Sequence, residues 1–168
     1  MKDIGSIKNT LAKYRSETLK AYFAGIIDGE GCIRITTHSK PKRHLMIVDV
    51  ANTKPDFINL IRLYYGGYYT EKDDPRSNRQ KNYRITLSSV AAKEFLEDIF
   101  DYLIIKRPQA ELALKFQKTM GYKKGQMPKS VFNLREKYKN MMHQLNIKGA
   151  EARSKREEVM SNDSGYIN

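Results

Sequence analysis

The sequence predicts an α+β domain in which one four-stranded antiparallel sheet carries its helices on one face. Three observations support this. Four short segments alternate apolar and polar residues with period two. They fall into two pairs, each joined by a polar, turn-rich loop. Helical periodicity precedes, separates and follows the pairs. The chain has 168 residues, enough for one domain with a tail and for a core of its own.

Residues 1–15 form a polar N-terminal segment, residues 16–145 the domain, and residues 146–168 a polar basic C-terminal tail. The first helix runs from about Glu17 to Asp28 with Ser16 as N-cap. Leu19, Tyr22, Phe23, Ile26 and Ile27 form its apolar side. CIRITTH at 32–38 is a half-buried strand with Ile33 and Ile35 inward. A basic loop at 39–44 leads to a second strand at 45–52, with Met46, Val48 and Val50 on the core face. Pro55 opens a helix to Tyr65 that Gly66-Gly67 ends. Strands at 67–72 and 82–88 flank a polar loop at 73–81. Helices then occupy roughly 91–102, 107–120 and 129–145.

This parity turns a polar set outward: Arg34, Thr36, His38, Asp49, Tyr68, Thr70, Lys72, Asn82, Arg84 and Thr86. An antiparallel sheet tolerates one wet face, so solvation alone accounts for such a set. The loops beside it add Lys40, Lys42, Arg43, Arg76 and Arg79. A twisted ribbon with this mixture of donors, acceptors and an aromatic ring also suits the DNA major groove. The charge balance agrees. Lys and Arg number 31 against 19 Asp and Glu, a formal +12, which points to a polyanionic partner, nucleic acid before acidic membrane. No apolar run approaches the roughly 20 residues of a membrane span, and the first residues carry no secretory signal pattern. Cys32 is the lone cysteine, which excludes an intrachain disulfide and a cysteine zinc cluster.

Residues 23–31, FAGIIDGEG, are the most informative stretch. A glycine inside a helix costs about 1 kcal/mol against alanine. Ala21, Gly25 and Gly29 nonetheless fall at i, i+4 and i+8, a stripe that lets a second backbone approach closely. Its natural partner is a second copy of the same helix, which would bring two Glu30 carboxylates near a shared axis. Two carboxylates with backbone carbonyls and phosphate oxygens can hold Mg²⁺, and such ions assist phosphodiester hydrolysis. Asp28 reads as structural, through local backbone hydrogen bonding near the helix end. His38 has no ligand-type neighbour, and Cys32 no partner for nucleophilic chemistry.

FAGIIDGEG resembles the motif of the LAGLIDADG homing endonucleases. The α-β-β-α-β-β-α order, Asn52-Thr53-Lys54-Pro55 and Ile104-Ile105-Lys106-Arg107-Pro108-Gln109-Ala110 extend the resemblance over roughly residues 17–150. One motif in a short chain is similar to the homodimeric branch, which pairs through the motif helix. The resemblance implies a site-specific endonuclease that cuts double-stranded DNA at a long, near-palindromic site, leaves short 3′ overhangs with 5′-phosphates, and promotes intron mobility. It implies Mg²⁺, with Mn²⁺ as a substitute and Ca²⁺ supporting binding without cleavage. By position, Glu30 matches the metal-binding acid and the Gly29 carbonyl a second ligand. Lys106 matches a lysine acting on water or charge, and Asn52 a residue positioning water. Asn52 also reads as a simple cap for the helix after it. Tyr68 and Arg84 fall at favoured base contacts, and Lys148 and Arg153 match tail residues touching phosphates. Lys54 is the candidate for a further basic residue, across a one-residue gap in the match. The expected setting is intracellular, in an organelle or a prokaryotic cytoplasm. Two other readings use the same fold: an intron maturase binding RNA, and a dimeric DNA-binding regulator without cleavage. A basic ribosomal-type protein leaves the motif unexplained.

Overall fold

The computed structural model describes residues 17–39, 42–72, 81–122 and 126–147. In chain order these form α1 (Glu17–Glu30), β1 (Cys32–Ser39), β2 (Lys42–Asn52), α2 (Asp56–Tyr65), β3 (Tyr68–Lys72), β4 (Asn82–Ser88), α3 (Ser89–Ile99), a 3₁₀ turn (Phe100–Tyr102), α4 (Arg107–Lys118) and α5 (Lys129–Leu145). The expected Ser16 cap lies outside the described residues. The strands make one antiparallel sheet in the order β1-β2-β4-β3.

Side chains alternate across a pleated strand, so register decides what shares a face. Ile33 pairs with Val48, Ile35 with Met46, Val48 with Leu87 and Val50 with Ile85. These seven residues are buried and meet the helices. Phe23, Ala24 and Ile27 bring α1 into the core, where the Phe23 ring lies 6.0 Å from Phe95 and 6.1 Å from Tyr65. Tyr22, expected on the apolar side of α1, is instead exposed. It follows Ala21 of the small-residue stripe and lies about 100° around the helix from the buried Phe23. Tight approaches explain two glycines. Gly67 has φ +99°, and a Cβ there would lie 2.6 Å from Leu87 Cδ2. At Gly31 a Cβ would come within 2.8 Å of the Ile27 backbone, so only glycine lets the chain leave α1 directly into β1.

β2 begins earlier than its apolar pattern suggested. Ser39 pairs with Lys42 and His38 with Arg43, so Lys42, Arg43 and His44 belong to the strand. The pattern failed because His44 occupies a core position. It is 0% exposed, its Nε2 lies 2.9 Å from Glu136 Oε1, and its ring stands edge-on to Phe132 at 5.2 Å.

Burial pushes His44 below its usual 6.5, outweighing the Glu136 bond that raises it. Below pH 6.5 the unfolded chain therefore binds a proton that folded His44 resists, and stability falls towards the depressed folded value. Glu136 is also lowered, chiefly by its bond from Lys139, so its contribution is lost only below 4.5. The expected result is a melting temperature that begins to drop near pH 6.5. Thermal melts of His44→Gln should show a flatter slope between pH 6.5 and 5; an unchanged slope would clear His44 of this role.

α5 is tied back to the sheet edge. Asn146, read as the start of the tail, donates from Nδ2 to the Ile33 carbonyl at 2.8 Å, and Gln109 Nε2 donates to the Leu145 carbonyl at 3.1 Å.

Candidate nucleic-acid interface and active site

α1 ends at Glu30, whose side chain is exposed at the helix tip. Asp28, two residues earlier, anchors that tip. Its carboxylate accepts the backbone N–H groups of Ile104 and Lys106, each at 2.8 Å. Lys106 completes the link by donating from Nζ to the Asp28 carbonyl oxygen at 2.5 Å. The partners lie 78 residues apart in sequence, so the expectation of local bonding for Asp28 is corrected: the residue is structural, but it joins α1 to the segment before α4. The C-terminal end of a helix carries partial negative charge, which favours a cation such as the Lys106 ammonium. The Lys106 ammonium thus lies against the end of the helix that Glu30 terminates.

Asn52 ends β2 at the end of the sheet where Gly31 leads into β1. Its Oδ1 accepts the Lys54 N–H at 2.9 Å, a local turn. It does not cap α2, whose first turn follows Pro55 without a side-chain cap bond. Lys54 is exposed. Along α1, Ala21, Gly25 and Gly29 form an exposed stripe, and a Cβ added at Gly25 or Gly29 would meet nothing within 4 Å. Glycine is therefore not required there by packing within the chain.

Among the described residues, no three His, Cys, Asp or Glu side chains gather as a metal cluster. The donors at the tip are one exposed carboxylate and the carbonyls of a helix end. Oxygen donors of this kind suit Mg²⁺, which binds through one or two carboxylates plus phosphates.

The outward face has the expected membership. Register places Cys32, Asp49, Thr86 and Tyr68 in one row across all four strands, with Ala51, Arg84 and Thr70 in the next and Asn82 beside Lys72. Tyr68, Lys72, Asn82, Arg84, His38 and Arg43 are exposed; Arg34, Thr36, Thr70 and Thr86 are half-buried. Leu45 and Ile47 share this face, as strand alternation places them opposite Met46 and Val48. One correction applies. Asp49 is only 6% exposed, because Arg34 and Thr86 enclose its carboxylate. At the β1 edge, a groove of about 560 Å³ lined by Cys32, Arg34, Thr36, Lys139 and His143 continues the surface towards α5. The α5 side of this groove escaped the sequence reading, since helical periodicity identifies buried positions and not what the opposite side borders. Lys40, Arg76, Arg79, Lys148 and Arg153 lie outside the described residues, as does the side chain of Lys42. No described helix is long and apolar enough to cross a membrane.

No family model matches the sequence, and no curated protein matches it closely. Solved structures do match. The homing endonuclease I-CvuI, crystallised with an I-CreI target in 2 mM Mg with the DNA uncleaved, aligns with TM-score 0.65 at 17% identity, covering 90% of this chain and 98% of that one. The archaeal intron-encoded homing endonuclease I-Vdi141I, complexed with DNA, aligns with TM-score 0.63 at 15% identity, covering 85% and 97%. The LAGLIDADG meganuclease I-AabMI, bound to uncleaved DNA, aligns with TM-score 0.51 at 21% identity over 71% of this chain but 43% of its own. The chain has the fold of the LAGLIDADG homing endonucleases.

Proposed function

We propose that this chain is a site-specific, Mg²⁺-dependent DNA endonuclease that acts as a homodimer and promotes intron mobility. The observation that carries the proposal is the Asp28 link, which holds Lys106 against the helix end that presents Glu30. That tip stands at the end of a sheet whose outward face is polar, on a chain of formal charge +12. Similar folds carry DNA in their structures, and the match spans nearly all of I-CvuI yet under half of I-AabMI, in keeping with a dimer of this chain.

Pairing of two α1 stripes would place one Glu30 from each copy near the two-fold axis. Glu30 and the Gly29 carbonyl would hold the ion. When bound, Mg²⁺ supplies Lewis-acid stabilisation of the phosphate and a more acidic water. Mn²⁺ should substitute, and Ca²⁺ should support binding alone. Lys106 sets a positive charge beside the scissile phosphate and favours charge developing there. Asn52 has its oxygen engaged in the turn, so it would orient water through its amide N–H₂ group. The outward sheet residues lie in the major groove and read bases; a two-fold dimer requires a nearly palindromic site. The host compartment would be an organelle or a prokaryotic cytoplasm.

Selection of cleaved sites from a randomised duplex library tests the proposal, with Mg²⁺ and with chelator. One long site recovered in Mg²⁺ only is expected. DNA enriched by binding but never cut would favour the regulator, and selective binding of intron RNA without DNA cleavage the maturase.

Gly25→Leu tests the dimer. The leucine meets open space within one chain, so the monomer should fold normally. Between two helices it would force the backbones apart. Light scattering should report a monomer, and double-strand cleavage should be lost with it. A dimeric Gly25→Leu protein that cleaves normally would remove the stripe from the interface.

A further inference from the structure

We infer that Asp49 and Arg34 form one reading unit, in which Asp49 is a positioning residue that presents Arg34 to a guanine in the major groove. The inference rests on the DNA-binding reading above and deepens it, by naming a base and the side chain that selects it.

Asp49 sits at the centre of the outward face, between Cys32 and Thr86 in its row. Its Oδ2 accepts from Arg34 Nε at 2.8 Å and from Arg34 Nη2 at 2.5 Å. Its Oδ1 accepts from Thr86 Oγ1 at 2.6 Å. Both carboxylate oxygens are thus engaged, by residues from β1 and β4, on a side chain 6% exposed. An aspartate can read cytosine by accepting from N4. This one has neither the exposure nor an unengaged oxygen with which to do so. It would also repel phosphate unless neutralised, and Arg34 neutralises it.

Arg34 is in the opposite position. Its side chain remains 42% exposed. Of its five N–H donors, Asp49 engages two, leaving three that include a parallel pair, one from each terminal nitrogen. Ile47, directly across the strand pair and nearly buried, gives the guanidinium an apolar neighbour on the sheet. A guanidinium held on one edge has already lost much of its rotamer freedom, so less is lost on binding. The fork that remains matches two adjacent acceptors. In the major groove only guanine offers them, O6 and N7; adenine pairs its N7 with a donor, and thymine offers one oxygen. In a two-fold dimer, the guanine would recur once in each half-site.

The test is binding selection from duplex DNA of randomised sequence in Ca²⁺, with wild type, Arg34→Ala, Arg34→Lys and Asp49→Asn. Wild type should enrich a guanine at one symmetric position per half-site, discriminating by about tenfold or more. Arg34→Ala should lose that preference and keep the others. Arg34→Lys should restore it only in part, because an ammonium can reach O6 and N7 but lacks the fork that Asp49 holds in place. Asp49→Asn should weaken the preference several-fold at the same position while affinity for non-cognate duplex holds or rises, since a negative charge is removed from the face turned to phosphate, a pattern general loss of folding cannot produce. If Asp49→Asn does not fold by circular dichroism, the two Arg34 variants still decide, since that side chain is half-exposed. A wild-type consensus that Arg34→Ala leaves intact overturns the inference alone. So does a preference that Asp49→Asn abolishes and Arg34→Ala preserves, since Asp49 would then be reading cytosine directly. A wild type that enriches no sequence overturns the inference together with the reading beneath it.

Discussion

Glu30→Gln should abolish DNA cleavage, by about 10³-fold or more, while leaving the protein folded, dimeric and able to bind its site. The magnitude follows the loss of one dedicated electrostatic group from a phosphoryl-type transition state, 10²–10³-fold for a single donor and more when an ion's ligand is removed. Glutamine keeps size and hydrogen bonding but not the charge. Glu30 is exposed at the end of α1, so the substitution leaves packing intact. On the proposed function binding should survive, because the outward sheet face would make the base contacts, and it should tighten in metal-free buffer, where two acids facing phosphates would repel them. Cleavage and affinity on one selected duplex, in Mg²⁺ and in Ca²⁺, separate these effects. Near-normal cleavage by the Glu30→Gln dimer would take this acid out of the mechanism.

Asp28→Ala should fail differently, losing stability and activity together. The alanine leaves the Ile104 and Lys106 N–H groups without the carboxylate that each reaches at 2.8 Å. Hydrogen bonds to a charged group contribute about 1.5–3 kcal/mol each, less where water can replace the partner. A net loss of about 2–3 kcal/mol is expected, or roughly 5–10 °C in melting temperature for a chain of this size. Lys106 would then lose its fixed place at the α1 tip. A displacement of about 1 Å in a catalytic group costs on the order of 10²-fold. Calorimetry and cleavage assays on Asp28→Ala, with Glu30→Gln alongside, give the contrast: the first should melt early and cut poorly, the second should melt normally and not cut. An Asp28→Ala protein with wild-type melting and wild-type cleavage would show that the link between α1 and the Lys106 segment does nothing.

The helix boundaries and the sheet parity were legible because both are local. An α-helix repeats every 3.6 residues and a strand every two, so side-chain chemistry alone assigns faces. Ile33, Ile35, Met46, Val48, Val50, Ile85 and Leu87 all point inward as their spacing predicted. The glycine stripe of α1 was legible for a related reason: three small residues at intervals of four lie on one line of any helix, and that line is open in the folded chain. Local pattern misled where a polar side chain took a core position, as His44 does by pairing with Glu136, and where an aromatic at helical spacing stayed exposed, as Tyr22 does.

By itself, then, the sequence determined the elements, the two faces of the sheet, the basic character of the chain and the acid at the tip of its first helix. Only the tertiary structure decided which of these residues meet. The strand order β1-β2-β4-β3, the bonds from Ile104 and Lys106 to Asp28, and the enclosure of Asp49 by Arg34 and Thr86 all join distant parts of the chain. Periodicity says which way a side chain points and nothing about what stands opposite. That depends on register and on how the helices cross the sheet, which are set by packing the whole core at once. Asp28 and Asp49, both acids within a strongly basic chain, therefore look alike in the sequence; in the fold, one fastens a helix tip and the other holds an arginine in place.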